Sequence, residues 1–324
     1  MKIVIPGGSG QVGRLLSRVL RREGHECVIL SRKSLPPEIA TPGLRQVVWD
    51  GRTLGPWAGE IDGADAVINL AGRSVDCRYN ERNLEAMLRS RVDSTRVVGE
   101  AIAVAQRPPR VWLQASTATI YAHRFDAPND ELTGLIGGNE PEAPPLWRKS
   151  IEIAQAWEAE LATAPTPHTR KIALRSAMTM SPDRGGVFHV LASLARLGIG
   201  HQGDGHQYVS WIHEHDFVAA ALFLINRQDL AGVFNLASPH PLPNRDFMAG
   251  LSSALGRTIS VPVPRWALEI GAFFLRTETE LILKSRRVVP TRLLNASFAF
   301  RYPDWPEAAV ELVHRRRTGN RPAT

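Results

Sequence analysis

The first seven residues with chemistry in their spacing are Gly7-Gly8-Ser9-Gly10-Gln11-Val12-Gly13. They follow a short apolar run and open an amphipathic one, the strand-to-helix context in which a glycine-rich loop binds phosphate. One glycine permits the tight turn, another lets the backbone approach a pyrophosphate, and Gly13 lets helix and sheet pack closely. The helix start adds unpaired N–H groups and partial positive charge, so Gly7, Ser9, Gly10, Gln11, Val12 and Gly13 are expected to hold a dinucleotide. A chain selective for an unphosphorylated ribose carries Asp or Glu about 20 residues further on. Here Ser31-Arg32-Lys33 occupies that place. A guanidinium can grip a 2′-phosphate through two charge-assisted bonds, whereas a carboxylate would repel it. NADP is therefore the expected cofactor, with Arg32 as its main ligand and Ser31 and Lys33 in support. Asp50 is a candidate acceptor for the adenine amino group, and with Gly51 it also suits a turn.

These residues need a frame. Strand-like runs at 3–6, 26–30, 46–49, 66–70, 111–115 and 171–175 alternate with helical ones at 12–23 and 91–105. In the 91–105 stretch Val92, Thr95, Val98 and Ile102 share a face. The pattern is α/β, a Rossmann-type doubly wound parallel sheet with crossover helices. Loops rich in Pro and Gly at 127–145, 181–186 and 198–205 lie where such folds place substrate sites. The expected division is a cofactor domain of residues 1–175, to which 210–237 return. A smaller, mostly α substrate lobe is expected from 176–209 and 238–324.

Composition narrows the function classes. Hydrophobic and charged fractions of 44% and 22% over 324 residues are those of a globular chain with a sizeable core. The apolar run 217–225 is about half the ~20 residues that cross a bilayer. No membrane span or secretory signal is expected, and a cytoplasmic location follows. Cys27 and Cys77 make no disulfide framework. The net charge of +7 comes from scattered arginines without a recognition motif. No nucleic acid partner is expected, and Arg315-Arg316-Arg317 is read as a solvated tail. His201, His206, His213 and His215 fall near Asp204 and Asp216, but His213 and His215 share a face only on a strand, and no metal is expected. Trp147, Trp157, Trp211 and Trp266 are read as packing residues.

With these residues in place, the chain resembles the extended short-chain dehydrogenase/reductases, specifically an NAD(P)-dependent epimerase-like subgroup with a C-terminal domain of unknown function. Gly7, Gly10 and Gly13 match its G-x-x-G-x-x-G, and Asn69-Leu70-Ala71-Gly72 its N-x-A-G. Ser90-Arg91 and Thr95, Leu174-Arg175 with Pro182 and Gly185-Gly186, Trp211-Ile212-His213 with Asp216, and Phe298-Ala299-Phe300 match later blocks. The resemblance implies that Leu70, Ala71 and Gly72 lie beside the cofactor, and that Ser116, Arg175 and His213 face the substrate, a small molecule bearing a hydroxyl or carbonyl. It is compatible with a homodimer paired through helices. It also implies a Ser/Thr–Tyr–Lys group: Ser116-Thr117-Ala118-Thr119-Ile120-Tyr121 supplies Thr117 as the hydroxyl. The usual Y-x-x-x-K is replaced by Trp147-Arg148-Lys149-Ser150-Ile151. Two readings stay open. Tyr121 serves as acid/base with Lys149 or Arg148 lowering its pKa, or the site binds dinucleotide as a sensor without turnover.

Overall fold

In the computed structural model the described residues are 1–34, 43–141, 144–264, 266, 268 and 280–319. The chain begins β1 (Lys2–Pro6), α1 (Gln11–Arg22), β2 (Glu26–Ser31), β3 (Leu44–Val48) and β4 (Ala66–Asn69). It continues through α2 (Glu81–Val104), β5 (Val111–Thr117), α3 (Pro145–Thr163) and β6 (Arg170–Ser176). Then come β7 (Met178–Met180), α4 (Val187–Arg196), β8 (Ile199–Gln202), β9 (Tyr208–Val209), β10 (Trp211–His213), α5 (Glu214–Asn226) and β11 (Gly232–Leu236). Last are β12 (Leu242–Pro243), α6 (Asn244–Ala254), β13 (Val261–Val263), α7 (Glu280–Leu283), α8 (Thr291–Asn295) and α9 (Trp305–Arg317).

Seven strands form one parallel sheet in the order β11-β6-β5-β4-β1-β2-β3. The order reverses between β1 and β4, and a parallel sheet of this kind opens its binding crevice there, at the carboxyl ends of the strands. Alternation along each strand sorts its side chains into two cores. Ile3, Ile5, Leu113 and Ile172 pack with Leu16 and Leu20 of α1 and Phe217 and Leu224 of α5. Val4, Val28, Val67 and Trp112 pack with Val97, Val98 and Ile102 of α2 and Leu161 of α3. A third core joins Phe188, Phe247, Met248, Trp211 and Trp305 where α4, α6 and α9 meet.

Several expectations change in the structure. The helix expected at 91–105 begins ten residues earlier, because the Asn80 side chain accepts from the Asn83 N–H and caps it. Trp266 is 66% exposed, unlike the buried Trp147, Trp157 and Trp211. The Arg315-Arg316-Arg317 cluster is no solvated tail but the last turn of α9. Arg315 pairs with Glu214 and Glu311, Arg316 donates to the His189 carbonyl, and Arg317 donates to the Leu255 carbonyl. Leu293 and Phe298, expected in the smaller lobe, pack in the core of the large sheet. Among the described residues no helix is long and apolar enough to cross a membrane.

Candidate active site

The glycine loop connects β1 to α1 at the order reversal. Gly7 has φ +76°, and a Cβ there would lie 2.7 Å from the backbone of Ala71. A Cβ on Gly13 would sit 2.4 Å from Gly8 Cα, so this helix start packs on its own loop without a gap. Gly10 caps α1 with no side-chain hydrogen bond, leaving the first-turn N–H groups available. The Gln11 Nε2 is enclosed without a partner among the described residues, against Gly186 at the start of α4. An orphaned buried amide beside open helix N–H groups and a Cβ-free cradle fits a bound pyrophosphate. Across the crevice the Leu70 N–H donates to the Pro6 carbonyl and the Ala71 N–H to Asn69 Oδ1. The 70–72 turn is thereby held against Gly7, and Gly72 lies over the Arg91 side chain.

At the ends of β2 and β3 an open hollow of about 720 Å³ is lined by Arg32, Trp49, Asp50, Arg52, Thr53 and Trp57 among others. Ser31 is occupied in shaping the turn: its hydroxyl donates to the Lys33 carbonyl and accepts from Gln46 Nε2. Lys33 is exposed. Asp50 Oδ1 accepts from the N–H groups of Arg52 and Thr53, and Oδ2 accepts from the Thr53 hydroxyl. Those bonds, the Thr53 hydroxyl first, hold its carboxyl down at about 2.

The other end of the crevice holds a connected polar group. Ser116 Oγ donates to Glu158 Oε1 at 2.5 Å, and Arg175 meets the same carboxylate with two bonds of 2.8 and 2.7 Å. The Arg175 guanidinium lies 4.9 Å from the Tyr121 ring centroid. Tyr121 is 2% exposed and donates to Asn235 Oδ1 at 2.9 Å. Burial pushes its phenol up despite the charge of Arg175. Thr117 Oγ1 accepts from the Thr119 N–H, which leaves its own O–H to donate at the strand ends. Ser116, Tyr121 and Arg175 therefore come together through Glu158 and the Tyr121 ring, whereas Thr117, the next residue along β5, pairs in register with Ser176 and makes none of these contacts.

Lys149 does not join them. Its side chain is 55% exposed and paired with Glu152 at 2.8 Å, both lining the mouth of a separate cavity beside α3, and Arg148 donates to the Gly138 carbonyl. Trp147 and Ile151 stand one turn apart at the start of α3, both buried. They border the same cavity, of about 510 Å³, with Glu140 and Lys284 on its wall. Lys284 donates to the Thr119 carbonyl and lies 3.8 Å from Glu280, whose carboxylate accepts from Ser150 Oγ. Burial draws the Lys284 amine down to about 8, against the attraction of Glu280. The unfolded chain holds that proton up to about 10.4. Between these values the unfolded state binds more protons, so stability rises with pH across that window and the full cost of the buried charge stands below it. A rise of up to about 3 kcal/mol is expected between about pH 7.5 and about pH 10.5. Urea unfolding of wild type and Lys284→Met at both pH values checks this: the rise shrinks in the variant, and parallel behaviour would refute it.

His213 is 1% exposed and sits away from the crevice network. Its Nδ1 accepts from the His215 N–H, so Nε2 carries the proton that it shares with Glu311 Oε2 at 2.9 Å. Its ring lies 4.0 Å from the Tyr302 ring, tilted by 35°, and its bond to Glu311 fastens α9 to β10. Asp216 accepts from the N–H groups of Arg301 and Tyr302. Glu158, Asn235, Glu280 and Lys284 had no motif to reveal them. Arg175 offered one hint, since a guanidinium in a core strand requires a carboxylate from elsewhere.

A family model described as "NAD dependent epimerase/dehydratase family" matches residues 3–237, and one described as "domain of unknown function (DUF1731)" matches 263–312. The epimerase family protein SDR39U1 of Bos taurus is 30% identical over 318 residues, 97% of this chain and 100% of that protein. The crystal structure of human epimerase family protein SDR39U1 with NADPH superposes with a TM-score of 0.82 at 28% identity, covering 97% of this chain and 99% of that one. A nucleoside-diphosphate sugar epimerase from Corynebacterium glutamicum superposes at 0.73 with 29% identity, covering 97% of this chain and 58% of that one.

Proposed function

The chain belongs to the NAD dependent epimerase/dehydratase family, and from that premise we propose that it binds NADP(H) and acts on a hydroxyl or carbonyl of a small polar metabolite. The observation that carries the cofactor choice is Arg32. It lines the hollow at the end of β2, and among the described residues no carboxylate is paired with it. The human relative solved with NADPH agrees with that choice. Gly7, Ser9, Gly10, Gln11, Val12 and Gly13 would hold the pyrophosphate, Asp50 the adenine end, and Leu70, Ala71 and Gly72 the turn opposite. Bound NADP(H) would supply hydride exchange.

The chain's own part is to orient the substrate oxygen and move its proton. Thr117 has an O–H free to bind that oxygen at the end of β5, and Tyr121 is the phenol of the Ser116–Glu158–Arg175 network nearby in sequence. The nearby charge of Arg175 favours the phenolate that remains once the proton leaves, though burial opposes it. Lys149 would act only through the field it adds at the helix start. A nucleotide-sugar substrate is the narrower form of this reading.

The reading is tested by supplying NADPH with a panel of quinones and small aldehydes and following its absorbance in wild type and Tyr121→Phe. Turnover in wild type, reduced about 10²–10⁴-fold in the variant with NADPH binding unchanged, is expected. Equal rates would remove Tyr121 from proton transfer. A second reading, a dinucleotide sensor without turnover, is favoured by Trp147 and Ile151, which put two buried apolar side chains where the family places tyrosine and lysine. NADPH binding with no turnover across the panel, and capture of a protein partner only with NADPH bound, would favour it.

A further inference from the structure

On the NADP(H) reading above, we infer that Arg52 is a second determinant of cofactor choice, adding a second guanidinium to that of Arg32 for the 2′-phosphate of the dinucleotide. Both arginines line the same hollow at the ends of β2 and β3. The backbone of Arg52 is fixed from three sides. Gly51 reverses the chain with φ +75°, and the Asp50 carboxylate takes the N–H groups of Arg52 and Thr53 at 2.8 and 3.0 Å. The Arg52 carbonyl accepts from Arg96 Nη2 on α2 at 2.7 Å. Beneath this turn Trp57 Nε1 donates to the Thr53 carbonyl, and Trp57 meets Trp49 edge to face at 5.1 Å.

On that rigid frame the Arg52 side chain is 67% exposed, and its charged neighbour is Asp93, 3.7 Å from Nε. An exposed pair at that distance is loose and is readily exchanged for a better anion. The carboxylate that lines the hollow is Asp50, whose two oxygens already take three donors of their own turn. The hollow thus presents two guanidinium groups against one carboxylate whose lone pairs are largely taken up. A phosphate monoester near neutral pH carries close to two negative charges and three acceptor oxygens. A single arginine answers half of that charge, and a bare ribose hydroxyl has no use for a second one. Ser31, consumed by Lys33 and Gln46, leaves the added contact to Arg52.

The test is a titration of wild type, Arg32→Ala and Arg52→Ala with NADPH and with NADH, following nicotinamide fluorescence at about 0.1 M salt, where surface charges are only partly screened. Competition by 2′,5′-ADP and by 5′-AMP isolates the phosphate. Arg52→Ala is expected to weaken NADPH and 2′,5′-ADP about tenfold or more, while NADH and 5′-AMP stay within about twofold. Unchanged melting of the variant shows that the fold is retained. If wild type prefers NADPH and Arg52→Ala keeps the full preference, Arg52 is only a solvated surface residue and the cofactor reading survives without it. If wild type prefers neither dinucleotide, the cofactor reading itself fails, and the role of Arg52 falls with it.

Discussion

Gly13→Ala is expected to abolish dinucleotide binding and to cost the fold about 3 kcal/mol, lowering the melting temperature by roughly 5 °C or more. The added Cβ would lie 2.4 Å from Gly8 Cα and 2.5 Å from the Gly8 carbonyl oxygen. Both are backbone atoms of a loop already held by the Gly7-to-Leu30 and Gly8-to-Ile5 hydrogen bonds, so neither can rotate aside. The loop and the start of α1 must separate, and that moves the N–H groups that would hold the pyrophosphate on the NADP(H) reading. Gly10 provides the contrast within the same loop. A Cβ there meets only the Gly7 carbonyl oxygen, at 3.4 Å, and its φ of −69° suits alanine. Gly10→Ala should fold and melt close to wild type. Thermal melts and NADPH titrations of the two variants decide the matter, and similar behaviour of both would overturn the packing account.

Glu158→Ala should destabilise the protein by about 3–5 kcal/mol, the usual consequence of leaving a buried charge without its partner. One carboxylate serves both the Ser116 hydroxyl and the Arg175 guanidinium, with the side chains of the ion pair 16% and 11% exposed. Its removal strands a cation at the end of β6, against the Tyr121 ring. Glu158→Gln keeps an acceptor but loses the charge, so it should fall between alanine and wild type. The double variant Glu158→Leu with Arg175→Met should recover most of the loss, because no buried charge is then left unpaired. Urea denaturation gives all three values. A double variant as unstable as Glu158→Ala would mean that the site needs polarity rather than charge balance. NADPH binding should change little, since the network lies on α3 and the carboxyl ends of β5 and β6 rather than at the glycine loop.

The outcome at individual residues shows what a linear reading can reach. The strand edges in the first half were legible to within a few residues, because parallel strands covered on both faces are short apolar runs bounded by turns. The start of α2 was missed although Leu84, Met87 and Leu88 already stand at helical spacing, because charged and polar residues fill the rest of the stretch from Glu81 to Ser90. The Asn80 cap marks the boundary itself, and a single cap is a faint signal in sequence.

The sequence by itself determined the glycine loop at the start of α1 and the cationic end of β2. Those features are contiguous, and their chemistry depends on local conformation: glycines that must approach backbone, and an arginine where a carboxylate would otherwise stand. Tertiary structure alone decided the rest. It turned Arg175 toward Glu158, spent His213 on Glu311, left Lys149 with Glu152, and brought Lys284 to Thr119 across 165 positions of chain. A charged or polar side chain buried by folding must find a partner, and that partner comes from whichever element the packing of apolar faces brings near.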